Sequence, residues 1–280
     1  MPDCDGRRWN NTRRWLPLDD APPPVLRRVA WVHVPKTGGA PFANLLFRAA
    51  CRATTPKPFV EPIEVSCIRQ GVCPDAFVFF EWGHKPLPQP LRVDVQAVTV
   101  LRAPWSRATS GFFHNLHDCL GMQFKNSLGN HHPPPSTAAF FRNFSDDHVK
   151  GYARCVSGCV ARMLTGNECG VRPRDTATAT LLPVAEATLQ RFAFVGIFEE
   201  WNATLRAFAS TFRTPLAPAE YVVVRRGVRP SETYERVARV MRSVRFVDDA
   251  LYARGRELFD ARWRLPAAAD DAASIASASG

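Results

Sequence analysis

The chain has 280 residues, 46% of them hydrophobic, which is enough for one large α/β domain or two small ones with a sizeable core. Its 36 lysines and arginines outweigh 26 acidic residues for a formal charge of +10, so an anionic partner is expected: nucleic acid, a membrane surface, a phosphorylated ligand or an acidic polysaccharide. The basic residues are scattered rather than striped along a helix with interleaved aromatics, which argues against nucleic acid, and no apolar run reaches the ~18 residues of a membrane-spanning helix.

Residues 1–24 are charged throughout, lack the apolar centre of a signal peptide, and are expected to be a flexible lead-in ending in the stiff turn "APPP". The chain therefore reads as cytosolic, or as a soluble piece without its membrane anchor. "RVAWVHV" at 28–34 is a β-branched and aromatic run expected to be a buried strand. After it, Phe42, Leu45, Leu46, Ala49 and Ala50 fall on one helical face. Further strands are expected at 77–82 ("FVFFEW"), 95–101 ("VQAVTVL") and 192–198 ("FAFVGIF"). A helix follows the third strand, with Pro104 at its start and Trp105, Ala108, Phe112 and Leu116 on one side. "HHPPPST" reads as a surface loop. Two amphipathic helices close the sequence, "SETYERVARVMRSV" with a cap between Ser231 and Tyr234, and "FVDDALYARGRELFDARWR" with Asp248 and Asp249 near its start.

No clear linker interrupts residues 25–266, so one domain is expected there, and the small-residue tail 267–280 is expected to be disordered. Strands alternating with helices imply an α/β fold with a central parallel sheet flanked by helices, and a binding site at the strand C-termini.

The 8 cysteines contain no C-x-x-C pair. They are compatible with disulfides in an oxidising lumen, with Cys67 and Cys73 and the Cys155, Cys159 and Cys169 group as candidates. Sequons at Asn10, Asn143 and Asn202 point weakly to the same secretory setting.

Two loops carry the chemistry. In "WVHVPKTGGAPF" a strand runs into a glycine-rich turn and a helix, an arrangement suited to an anion. Lys36 supplies a point charge, Thr37 a hydroxyl donor, and Gly38 and Gly39 let the backbone approach without a Cβ. The lysine precedes the glycines, and the GxxxxGK[ST] pattern of nucleoside triphosphatases and kinases is absent. In "VTVLRAPWSRATSGFFH" a second strand ends at Arg102 and enters a helix carrying Ser110, a pair able to grip another phosphate, the arginine in bidentate fashion. Anion sites on neighbouring loops suit a ligand with phosphates at both ends.

"HVPKTGG" followed by "LRAPWSRATSGFFH" resembles the phosphate loops of sulfotransferases that use PAPS (3′-phosphoadenosine 5′-phosphosulfate), most closely the Golgi carbohydrate branch that includes the heparan-sulfate 2-O- and 6-O-sulfotransferases. The similarity continues through "EWGHKP", "GCVARMLTGNECG" and "FAFVGIFEEWNATL", so it covers roughly residues 28–263 in order. It implies a P-loop-like three-layer fold, a sulfotransferase domain over 25–266, and in-line transfer of sulfate to a carbohydrate hydroxyl, an acidic polysaccharide among the acceptors. By resemblance, Lys36, Thr37, Gly38, Gly39 and Ala40 would hold the 5′-phosphosulfate and Arg102 and Ser110 the 3′-phosphate. Lys36 and His84 would be catalytic, His84 as general base. No metal is implied, and the setting would be the Golgi lumen, with membrane association only through an anchor absent from this chain. The family places Thr or Ser where this chain has Ala40-Pro41, which removes a phosphate-binding hydroxyl and implies weaker cofactor binding, and its acidic residue after the arginine is here Ala103.

Glu81 is the alternative base. His33, His131 and His132 read as structural or solvated, while His114 and His117 lie one helical turn apart and could face the cleft. The competing reading is a catalytically degenerate sulfotransferase-like protein that binds anionic glycans.

Overall fold

The computed structural model describes residues 28–39, 42–43, 45–46, 49, 77–78, 84, 86–88, 90, 95–114, 119, 144–169, 179–214, 216, 221 and 231–265. The expectations for residues 1–24 and 267–280, and those for Ala40, Glu81, His117, His131, His132, Cys67, Cys73, Asn10 and Asn143, lie outside them.

The fold is α/β, with a parallel sheet flanked by helices. Its strands are β1 (Arg28–Val32), β2 (Phe77–Val78), β3 (Gln96–Leu101) and β4 (Phe194–Ile197), in the order β2-β1-β3-β4. Trp31 pairs with Val98, and Val98 with Phe194. All of β4 and all but the first residue of β3 are buried, as expected when helices cover both faces of a parallel strand. β1 stops two residues before the expected end at 34. The Val34 N–H turns back to the Val32 carbonyl at 3.0 Å, and Pro35 has no N–H to extend the ladder. His33 is therefore in the turn and not in the strand.

Residues 39, 42–43, 45–46 and 49 are helical, and Phe42, Leu45, Leu46 and Ala49 are buried together, as their spacing predicts. After β3 comes α1 (Pro104–Phe112), with Pro104 in its first turn. It ends short of Leu116, because His114 N–H bonds to Gly111 in a tightened last turn, and His114 is exposed beyond it. The remaining helices are α2 (Asp146–Val156), α3 (Cys159–Leu164), α4 (Leu182–Gln190), α5 (Trp201–Phe212), α6 (Glu232–Arg242) and α7 (Asp249–Arg262). A 3-10 turn, Phe198–Glu200, joins β4 to α5. Ser231 caps α6 through the Tyr234 N–H, as expected.

Two apolar clusters result. One joins the sheet to the helix after β1 and to α3, α4, α5 and α7. The other joins α1, α2 and α6. Disulfides link Cys119 to Cys155 and Cys159 to Cys169, so the 155/159/169 group is bonded, but through a partner, Cys119, that spacing did not single out. Among the described residues no helix is long and apolar enough to cross a membrane.

Candidate functional site

From β1 the chain reaches β2 on one side, then crosses back to β3 on the other. Connections that leave in opposite directions open a crevice at the strand C-termini, the usual ligand position in open α/β sheets. The loops that flank this crevice are those of Lys36 and Arg102.

Lys36 adopts a left-handed backbone conformation (φ 64°), rare for a residue with a side chain, and Gly38 follows at φ 82°. Arg102 locks that conformation: its Nη1 donates to the Lys36 carbonyl at 3.0 Å. Its Nε donates to Ser106 Oγ at 3.0 Å, and its guanidinium lies 4.4 Å from the centre of the Phe198 ring. Burial pushes the Arg102 pKa below its ordinary value, against the opposing pull of Glu199. Nε and one Nη1 hydrogen are thus engaged within the protein. Ser110 stands one helical turn beyond Ser106 on the same face of α1. The stem of Lys36 runs beside this helix, its Cγ 3.8 Å from where a Cβ on Gly111 would stand. That point is also crowded by the Tyr152 hydroxyl.

Three expected roles change in physical content. Thr37 is buried and its hydroxyl donates to the Val34 carbonyl at 2.8 Å, so its side chain shapes the turn instead of offering a donor to a ligand. A Cβ on Gly38 would lie 2.9 Å from the Phe198 ring, and one on Gly39 would overlap His33 Nε2. Both glycines thus admit protein side chains against the backbone.

His84 is half-buried, with Nδ1 3.0 Å from the His33 carbonyl. A carbonyl can only accept, so Nδ1 is the donor in this bond. The two imidazoles are 4.7 Å apart, and His33 stacks on Trp31 at 4.4 Å.

A third loop, after β4, completes the crevice. Glu199 accepts from the Ala103 N–H at 3.0 Å and from the Tyr252 hydroxyl at 2.9 Å. Burial and the Glu199 charge push the Tyr252 phenol up to about 12. Ala103 has no polar side chain to cap α1, and the Glu199 carboxylate instead takes this N-cap residue's own amide from another element. Ser106, Phe198, Glu199 and Tyr152 were not singled out from the sequence. Ser106, four residues after Arg102, and the β4 C-terminal pair Phe198–Glu199 carried the same positional signal as the two loops that were.

No protein-family model matches the chain, and no curated protein matches its sequence.

Proposed function

We propose that the chain is a sulfotransferase of P-loop-like three-layer architecture that moves the sulfuryl group of PAPS to a hydroxyl of a carbohydrate, working in the Golgi lumen. The observation that carries this reading is the Arg102–Lys36 bond, which joins two cation-bearing loops across the switch point of the sheet. An arginine and a lysine held in one crevice suit a ligand with two separated phosphates. PAPS, as substrate, supplies the activated sulfuryl group. Lys36 and the loop amides hold the 5′ end and offset charge on the departing phosphate oxygen. The Nη2 edge of Arg102 and Ser110 hold the 3′-phosphate. His84 Nε2 takes the proton of the acceptor hydroxyl as the new S–O bond forms. The two disulfides favour an oxidising compartment.

One observation favours a second reading, a degenerate protein that binds anionic glycans without turnover. Glu199 places a carboxylate at the N-terminus of α1, beside Arg102, where an anion would otherwise be welcome.

Metal-free calorimetry of PAP, the desulfated product, against ADP separates the two. PAP is expected to bind at least about tenfold tighter, a difference of ~1.4 kcal/mol. His84→Ala is then expected to keep PAP binding and lose transfer from labelled PAPS. Equal affinity for PAP and ADP would remove the cofactor from the reading; preferential PAP binding with no turnover on any glycan would select the degenerate protein.

A further inference from the structure

We infer that Glu199, braced by Tyr252 of α7, is a positioning residue for Arg102 and sets how strongly the crevice prefers a ligand with a second phosphate. The inference rests on the reading of Arg102 as the residue that meets the 3′-phosphate. The two oxygens of the Glu199 carboxylate have separate partners. Oε1 accepts from the Ala103 N–H at 3.0 Å, and Oε2 from the Tyr252 hydroxyl at 2.9 Å. The Ala103 amide lies in the peptide plane that leaves Arg102, so holding it fixes ψ of Arg102 and the direction in which that side chain sets out. At the other end of the side chain, the guanidinium carbon lies 4.4 Å from the centre of the Phe198 ring. Arg102 is therefore gripped at both ends by consecutive residues of one 3-10 turn, Phe198–Glu200. The same Phe198 ring lies against Gly38, so this turn meets both cation-bearing loops.

The C-terminal helix braces the turn. Tyr252 and Arg256, one helical turn apart on α7, reach Glu199 and Glu200, and Arg264 also bonds to Glu200. With its pKa pushed up to about 12 by burial and the Glu199 charge, the Tyr252 phenol keeps its proton and stays a donor. Glu199 itself is exposed, where polar contacts add little to global stability. What the bridge supplies is orientation, since a guanidinium must sit within about 0.5 Å of its productive place to grip a phosphate with two bonds. A carboxylate near a phosphate also repels it, and the two effects have opposite signs in an experiment.

The test compares Glu199→Ala, Glu199→Gln and Tyr252→Phe in the intact protein by metal-free calorimetry of PAP and ADP. Glu199→Gln keeps an oxygen for the Ala103 amide and gains a nitrogen able to donate to the Tyr252 oxygen. Glu199→Ala is expected to weaken PAP binding at least about tenfold while ADP, which has no 3′-phosphate, stays within about twofold. Glu199→Gln is expected to bind PAP within about threefold of the wild type, and Tyr252→Phe to fall between the two. Wild-type PAP affinity in Glu199→Ala, an equal loss of PAP and ADP, or Glu199→Gln failing as badly as Glu199→Ala overturns the inference. Tighter PAP binding in both Glu199 variants overturns it too, and leaves repulsion as the effect of the carboxylate. Wild-type affinity in Tyr252→Phe removes the brace from α7. A wild-type protein that binds PAP no tighter than ADP would instead sink the PAPS reading. Nitrogen-15 arginine spectra still decide the positioning in that case. The Arg102 Nε–H, bonded to Ser106, is expected to exchange with water at least about tenfold faster in Glu199→Ala than in the wild type or Glu199→Gln, and unchanged exchange overturns the inference.

Discussion

Lys36 pays for its place with backbone strain: at φ 64° an L-residue is roughly 1 kcal/mol above its relaxed state, and the Arg102 bond to its carbonyl is what holds it there. Arg213, at φ 52° past the end of α5, has the same conformation for an ordinary reason, since helices often close on a left-handed residue. The pair offers a controlled comparison. Lys36→Gly and Arg213→Gly are each expected to stabilise the fold by up to about 1 kcal/mol, read from the denaturation midpoint. Only Lys36→Gly should abolish PAP binding and transfer. If Lys36→Gly gained stability and kept PAP affinity, the strained lysine would have no part in the site.

At the scale of elements, the helix that carries Ser106 and Ser110 is anchored from below by a buried charge. Asp248 was expected to favour the start of its own helix. Instead its carboxylate accepts from the Val160 and Ala161 amides, opening α3, at 3.3 and 3.1 Å. It also meets Arg107 of α1 at 3.4 Å, with both side chains almost wholly buried. Burial pushes the Asp248 carboxyl up, opposed by Arg107 and the two amides. Arg107 in turn donates to the Val156 carbonyl at the end of α2. One carboxylate therefore fastens α1, α3 and the start of α7 together. Asp248→Ala leaves a buried arginine without its counter-charge and two helix amides without an acceptor, and is expected to cost about 3–5 kcal/mol in urea denaturation. Asp249→Ala, which loses a single bond to the Phe246 amide, should cost about 1 kcal/mol.

Across the whole molecule, the three loops meet between the two apolar clusters formed by the described residues. The Lys36 side of the crevice belongs to the sheet cluster, and its Arg102–Ser110 side to the helix whose far face packs in the α1–α2–α6 cluster. The Cys119–Cys155 bond closes a separation of 36 residues and ties the chain beyond α1 back to α2, whereas Cys159–Cys169 closes 10. Chain entropy makes the longer closure the larger stabiliser, about 4 kcal/mol against about 3. Paired Cys→Ser variants unfolded in urea are expected to follow that order. The reverse order would mean that the burial of Cys159 and Cys169 in the sheet cluster outweighs loop length.

The sequence by itself determined the elements that obey short-range rules. The four strands, the buried face of Phe42, Leu45, Leu46 and Ala49, the cap at Ser231 and the two cation-bearing loops were legible because β-branched runs, helical spacing and turn residues act over a few positions. The early end of β1 was less legible, since it depends on a turn closed by Val34 and Thr37. Tertiary structure alone decided the rest. Strand order brings Lys36 beside Arg102, Glu199 takes an amide that follows a different strand, Asp248 serves helices other than its own, and His33 lies against a histidine 51 residues away. The reason is physical: these contacts join residues whose separation along the chain carries no periodic signal. They exist only after the burial of strand and helix faces has chosen which loops become neighbours.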